Sequence, residues 1–543
     1  MRNRLTPQSV PSLTGFELAG PGGNPGPQPF GAGPEAGPGT GSADGTGVGA
    51  TVGTMFRRDS LYMAASSLQL LSGIVVTPLM TRVLGLHQYG IFAADLALLY
   101  VLYYTANLGL NIGIQRLFSQ PDGERRSRNL LAASLVLVSG ITALVYLTGP
   151  WWSPLLGFGS FTLSTQLTVV WSGLFALTWI CLAILRCNER LLVFTIVCLL
   201  QAVVGIGIGT LVAYFHMRLA TDVLWCAMLV QAGAVTLALA TVTPHWRGVT
   251  DARTIRETLR FSIPIVPLQL STFVLSASDR FIVLRDLGPG ATGRYQVAYT
   301  LGAVGVSMLT FLNLAWLPRI FAIADRATRA AVLAESRDGL YRLLVPVIIG
   351  IALAGPLLLQ IWAPSSFHTE TLVSVVVLVV ASTVPVCTAF VHSRLILAEG
   401  RSGLVAAVTV TAALINVLLN LAMVPPLGIN GSALATLITY GLLASGMATV
   451  SRRLMPLPRP PVALWGQLAV ATALVLSSRL LPIHGPAVAA RMGGAALCGL
   501  WAIKILRRIQ TGGTAQPGRR AESDDPATRR PRYGPTGAER SNR

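Results

Sequence analysis

The chain has 543 residues, of which 52% are hydrophobic and 12% charged, with a mean hydropathy of +0.61, too apolar for a water-soluble protein of this length. Its net charge of +19 is carried almost wholly by arginine, since Lys504 is the one lysine and lies in Ala-Ile-Lys-Ile-Leu; a phosphate-cradling loop needs lysine after a glycine run, so ATP hydrolysis is not expected. Six cysteines without CxxC spacing and six histidines without an HExxH-type cluster give no expectation of a metal centre, a disulfide framework, a cofactor, a catalytic residue or enzymatic activity.

Residues 1–54 are rich in Gly, Pro, Ser and Thr and are expected to be a disordered cytoplasmic tail. They lack the basic start and apolar run of a secretory signal, and Met55, before Phe-Arg-Arg-Asp-Ser, is an alternative start. Apolar runs of the length that crosses about 30 Å of hydrocarbon then recur. Fourteen spans are expected, at 61–82, 91–114, 129–149, 163–185, 191–215, 221–242, 262–284, 296–318, 341–362, 371–393, 403–424, 430–450, 462–481 and 486–506. Residues 509–543 are polar again and read as a second disordered cytoplasmic tail.

Arginine sets the orientation, because cytoplasmic loops retain it. The connections after even-numbered spans hold twenty arginines and those after odd-numbered spans six, Arg82, Arg218, Arg285, Arg294, Arg479 and Arg491. Both termini are therefore expected in the cytoplasm, and the basic excess reports topology, with no nucleic-acid partner. The connections on the other side are short, which argues against a glycosyl polymerase or ligase.

The chain also repeats itself. Leu84-Gly85 followed by Tyr89-Gly90 matches Leu287-Gly288 followed by Gly293-Arg294-Tyr295, and Arg116-Leu117-Phe118 matches Arg319-Ile320-Phe321. Both matches are offset by 203 residues (Gly85 to Gly288, Arg116 to Arg319). Six spans separate the copies, so the halves share one orientation. The expected architecture is an all-α polytopic membrane protein of about fourteen transmembrane helices. Two parallel-repeat six-helix bundles, 55–245 and 246–455, are followed by two accessory helices in 456–508.

Ser278-Asp279-Arg280-Phe281-Ile282-Val283-Leu284 with Gly293-Arg294-Tyr295-Gln296-Val297-Ala298-Tyr299 resembles a stretch typical of bacterial polysaccharide (O-antigen type) flippases. So do Asn416-Val-Leu-Leu-Asn420 with Leu427-Gly-Ile-Asn-Gly-Ser-Ala-Leu-Ala-Thr436, and Thr77-Pro78 with Leu84-Gly85 and Tyr89-Gly90. The layout is similar to that of the multidrug/oligosaccharidyl-lipid/polysaccharide exporter superfamily, and the likeness runs from 57 to about 455. The resemblance implies an alternating-access carrier of polyprenyl-pyrophosphate-linked oligosaccharide in the bacterial plasma membrane, serving cell-surface polysaccharide synthesis. Its implied partners are the lipid-linked oligosaccharide, membrane lipids, a glycan polymerase and glycosyltransferases.

Polar stripes mark helix faces turned away from lipid. Tyr100, Tyr103, Tyr104, Asn107 and Asn111 share an arc of about 100° at helical spacing; they are candidates either for stacking on sugars or for joining helices. Gln269, Thr272, Ser276, Asp279 and Arg280 share another such arc, behind Pro264 and Pro267, which are placed to bend the span. Thr409, Asn416 and Asn420 align on the eleventh span. For pyrophosphate, arginine is the fitting residue. Arg280 is the first candidate, with snorkelling or pairing to a neighbouring acid as its alternative. Arg116 and Arg319 are candidates for a cytoplasmic entrance or, alternatively, topological anchors. Asp95 is either a proton site or a solvated end residue. Two other transport functions remain open, a lipid II type flippase and a drug or cation antiporter of the same superfamily; a non-transporting scaffold is a third.

Overall fold

The computed structural model describes residues 46–310, 323, 325–482 and 485–512, with side chains described between 76 and 507. These residues form helices and no strand, as lipid requires of a chain that must satisfy its backbone internally. The first helix starts at Thr46, inside the segment expected to be a tail. Helix growth adds a hydrogen bond per residue once a turn exists, so it runs past the apolar boundary.

Twelve helices among the described residues are long and apolar enough to cross a membrane, where fourteen are expected. The difference arises at two glycines. In α1 (Thr46–Asn107), Gly85 takes φ 70°, ψ −179°. In α9 (Asp279–Gly302), Gly288 takes φ 81°, ψ 175°. α1 runs on through its glycine, and in the second half Ala252–Gly302 counts as one continuous segment, so at each place two expected spans and their turn form one. At each glycine the chain nonetheless doubles back. The Tyr89 hydroxyl hydrogen-bonds Thr77, and Arg280 Nε donates to Gln296 Oε1 at 2.7 Å. In a straight helix those pairs would stand about 18 and 24 Å apart.

Between these hairpins run α2 (Leu110–Phe118), α3 (Gly123–Leu147), α4 (Leu163–Cys187), α5 (Leu191–Phe215), α6 (Ala220–Val242), α7 (Ala252–Ser262) and α8 (Val266–Ala277). After α9 come α10 (Arg326–Trp362), α11 (Thr369–Ala398), α12 (Ser402–Leu427), α13 (Ile429–Leu454), α14 (Val462–Ser477) and α15 (Pro486–Gly512). In the first half α1 packs on α4, and α4 and α5 pack on α6; in the second, α8 and α13 pack on α12, and α11 packs on α13. The accessory helices α14 and α15 both pack on α10. Pro264 lies in a 3-10 turn, Ile263–Ile265, between α7 and α8, which is the bend expected there.

Arg491, anomalous on the arginine-poor face, is 2% exposed. Its guanidinium donates to Ser478 O at 2.6 Å, Leu481 O at 2.8 Å and Pro482 O at 3.1 Å. It thereby satisfies carbonyls left over where α14 ends. Arg491→Leu is expected to strand those acceptors at a cost of about 1–3 kcal/mol. Thermal unfolding in detergent should show a lowered midpoint, partly recovered in Arg491→Lys.

Candidate functional site

The two hairpins meet each other on the arginine-poor face. A Cβ at Gly90 would fall on the carbonyl oxygen of Pro289, and one at Gly293 would lie 2.7 Å from the carbonyl oxygen of Leu86. Gly90 and Gly293, like Leu86 and Pro289, are related by the same 203-residue offset. Each copy thus presents to the other what it receives, the reciprocal pattern of a two-fold axis between the halves. Around this point Thr81 Oγ1 donates to Trp362 O at 2.6 Å, and Phe158 meets Phe281 at 6.1 Å between centroids. The halves are closed together at this face.

Below the closure the seam is aromatic. Tyr100 and Tyr104 of α1 face Phe273 of α8, with centroids 6.0 and 6.1 Å apart. Tyr103 turns into the first half instead, against Phe175 at 5.2 Å and Trp179 at 6.1 Å. Only two of the three tyrosines therefore line the junction. Further along, α1 breaks at Leu108 (φ 48°) and Gly109 (φ 68°), and Asn107 Nδ2 donates to Asn111 Oδ1 at 2.8 Å across the break. A non-glycine residue in the left-handed region is strained, and an interrupted membrane helix is a feature of transporter binding regions.

On the second half Asp279 and Arg280 are 2% and 6% exposed. Arg280 Nη1 donates to Asp279 Oδ1 at 2.8 Å and to Ser276 O at 2.6 Å. The guanidinium lies 4.3 Å from the Tyr299 ring centroid, while the Tyr295 hydroxyl donates to Asp279 Oδ2 at 2.5 Å. Tyr299 in turn hydrogen-bonds Tyr440 of α13. Arg280 is thus held by its neighbouring acid in this conformation, as one of its two expected roles has it. Tyr295, Gln296, Tyr299 and Tyr440 complete the cluster. The first three were within reach of sequence reasoning: reflection about Gly288 returns Gln296 to the depth of Arg280.

The remaining candidates divide. Gln269 is half-buried and its Oε1, enclosed, makes no hydrogen bond; Ser276 Oγ donates to Phe273 O at 3.0 Å. Asn416 and Asn420 face α13 and each other, through Asn416 Nδ2 to Thr439 Oγ1 at 3.3 Å and Asn420 Nδ2 to Asn416 O at 2.9 Å, so they join helices within the second half. Thr272 is exposed. Arg116 is exposed with its guanidinium 4.2 Å from the Phe261 centroid. Beside it, a Cβ at Gly113 would strike Thr258 of α7. Arg319 lies outside the described residues. Asp95, offered as a solvated end, is fully buried instead.

Residues 58–324 match the family model described as polysaccharide biosynthesis protein. A search of curated proteins finds no match. Among solved structures, the chain is similar to lipid II flippase MurJ in an inward closed conformation, at TM-score 0.63 and 14% identity, over 83% of this chain and 99% of the other. It is also similar to a multidrug resistance MATE family transporter of the MOP superfamily in an inward-facing conformation. There the TM-score is 0.51 and the identity 14%, over 76% of this chain and 95% of the other. At such identities the structural likeness establishes the fold.

Proposed function

Because residues 58–324 match the polysaccharide biosynthesis protein family and the fold is similar to that of lipid II flippase MurJ, we propose that the chain is a polysaccharide flippase of the multidrug/oligosaccharidyl-lipid/polysaccharide exporter superfamily, carrying a polyprenyl-pyrophosphate-linked oligosaccharide across the bacterial plasma membrane. The observation that carries this reading is the seam between two repeat-related halves, closed at one face and walled beneath by Tyr100, Tyr104 and Phe273. Tyrosine suits a sugar head group, offering an apolar ring face and a hydroxyl at one edge. The arginine-rich face is assigned to the cytoplasm, together with both termini, so the closed face is the outer one. Transport then consists of alternating access about the pseudo-two-fold axis, without chemistry on the sugar.

The driving force for outward movement includes the membrane potential. Inside-negative potential favours export of negative charge by about 2.3 kcal/mol per charge per 100 mV, and a pyrophosphate gains roughly twice that. The cargo serves cell-surface polysaccharide synthesis, with glycosyltransferases supplying it inside and a polymerase receiving it outside.

Depleting the protein is expected to cause a lipid-linked glycan to accumulate facing the cytoplasm, with mass spectrometry of the lipid fraction identifying its sugar. An accumulating species with a peptidoglycan stem peptide would favour the lipid II type activity. Unchanged lipid-linked pools, together with proton-driven efflux of organic cations, would favour the antiporter.

A further inference from the structure

Asp95 has no part in the seam described above. It is 0% exposed, and neither Oδ1 nor Oδ2 makes a hydrogen bond. The side chains that act on it are the hydroxyls of Ser164 and Thr168, on α4, and no charged group is among them. Thr168 Oγ1 donates to Ser164 O at 2.9 Å, and Ser164 Oγ lies 3.0 Å from Thr162 Oγ1, where either oxygen can be the donor. What Thr168 offers Asp95 is therefore oxygen lone pairs. A carboxylate in a dry helix interface, with no cation beside it and the Ser164 hydroxyl as its one available donor, is under-solvated at large cost. A carboxyl O–H has an acceptor.

The position of Asp95 gives that proton a consequence. It lies five residues beyond Gly90 on the same helix, about 7.5 Å along the axis. The helix that carries Asp95 packs on α4 and, through Gly90, on Pro289 of α9. For the carboxyl to ionise, water must enter between α1 and α4, and the helix that carries Gly90 must yield to admit it.

We propose that Asp95 is a proton-binding site, occupied when the halves are closed at the arginine-poor face and emptied to water as that face opens. The step is a simple exchange in which the carboxyl O–H bond breaks, the proton passes to water and the carboxylate is hydrated. The ligand is thus the hydronium ion, and the site links the proton gradient to the outer closure.

The test uses the full chain in liposomes on a solid-supported membrane, with no glycan lipid present. A pH jump is expected to produce a transient charge displacement in the wild type. Asp95→Asn should abolish it, and Asp95→Glu should keep it with a shifted midpoint. Thr168→Val, which removes one of the hydroxyls at the carboxyl, should also shift the midpoint, and these last two variants carry the test if Asp95→Asn does not fold. A wild-type current in Asp95→Asn would overturn the assignment. So would a wild-type current driven by sodium at constant pH and not by protons. Because no cargo is involved, failure here and failure of the cargo assay are separate results.

Discussion

Replacing Gly90 or Gly293 by alanine should open the arginine-poor face and arrest the transport cycle. The added Cβ at Gly90 meets the carbonyl oxygen of Pro289, with Gly293 N at 3.0 Å, and at Gly293 it meets Leu86 O at 2.7 Å. These are backbone atoms on the opposing hairpin and have no rotamer to move into. Relief requires the halves to part. Overpacking of this kind costs about 1–3 kcal/mol, which shifts the closed-to-open equilibrium by roughly 5- to 150-fold. The measurement is maleimide labelling of a cysteine introduced at Ala97, which is 4% exposed and packs in the cluster holding Phe273. The six native cysteines would first be removed. Labelling from the arginine-poor side should accelerate by about the same factor, and glycan export should fall. Gly140→Ala and Gly207→Ala meet nothing within 4 Å and serve as controls. Because the two gate glycines share one contact, the double variant should be less than additive. An unchanged labelling rate in either single variant would remove the closure from the mechanism.

A different outcome is expected at the hairpin apices. Gly85 and Gly288 have open space where a methyl group would be added, but positive φ with extended ψ, a region essentially reserved for glycine, so alanine there costs about 1–3 kcal/mol through backbone strain alone. Stability should drop without a shift in accessibility. The contrast separates two uses of glycine, close approach and backbone freedom, that stand five residues apart in each hairpin.

What was legible in the sequence followed from constraints that act over many residues. Span length, arginine alternation and the 203-residue offset each integrate such a stretch, and the hairpins at Gly85 and Gly288 share one backbone conformation as a repeat requires. The site was less legible because a helical arc is wider than a single neighbour. Tyr100, Tyr103 and Tyr104 share an arc, yet Tyr103 meets Phe175 while Tyr104 meets Phe273. Asn416 and Asn420 look like a lumen stripe by periodicity but bond to one another and to α13. A second span that starts at residue 91 sets Asp95 too near its end. The helix in fact resumes directly after Gly85, which puts Asp95 about 15 Å past the apex. The Arg280 cluster depends on the chain folding back at Gly288, a tertiary event that no single-helix projection contains.

That cluster decides whether arginine serves the cargo or only the fold. Arg280→Met alone should be uninformative, since it leaves Asp279 buried with the Tyr295 hydroxyl and one half of a buried pair costs about 3–5 kcal/mol. Any loss of export would then follow from lost protein. The informative variant is Asp279→Asn with Arg280→Gln, which removes both charges and keeps amides able to reach Tyr295, Gln296 and Ser276 O. Double neutralisation of a buried pair is often close to neutral for stability, so the unfolding midpoint should return near the wild-type value. Export should remain at least tenfold down, because an amide lacks the planar charged fork that pairs with phosphate oxygens. The bonds from Arg280 to Ser276 O and Gln296 Oε1 are to neutral acceptors; a pyrophosphate entering the seam would compete for them, while Asp279 would stay with Tyr295. Full export by the refolded double variant would make the pair a structural clasp between the two arms of the hairpin, and would move the search for the anion site to the arginine-rich face, where Arg116 lies exposed beside Phe261.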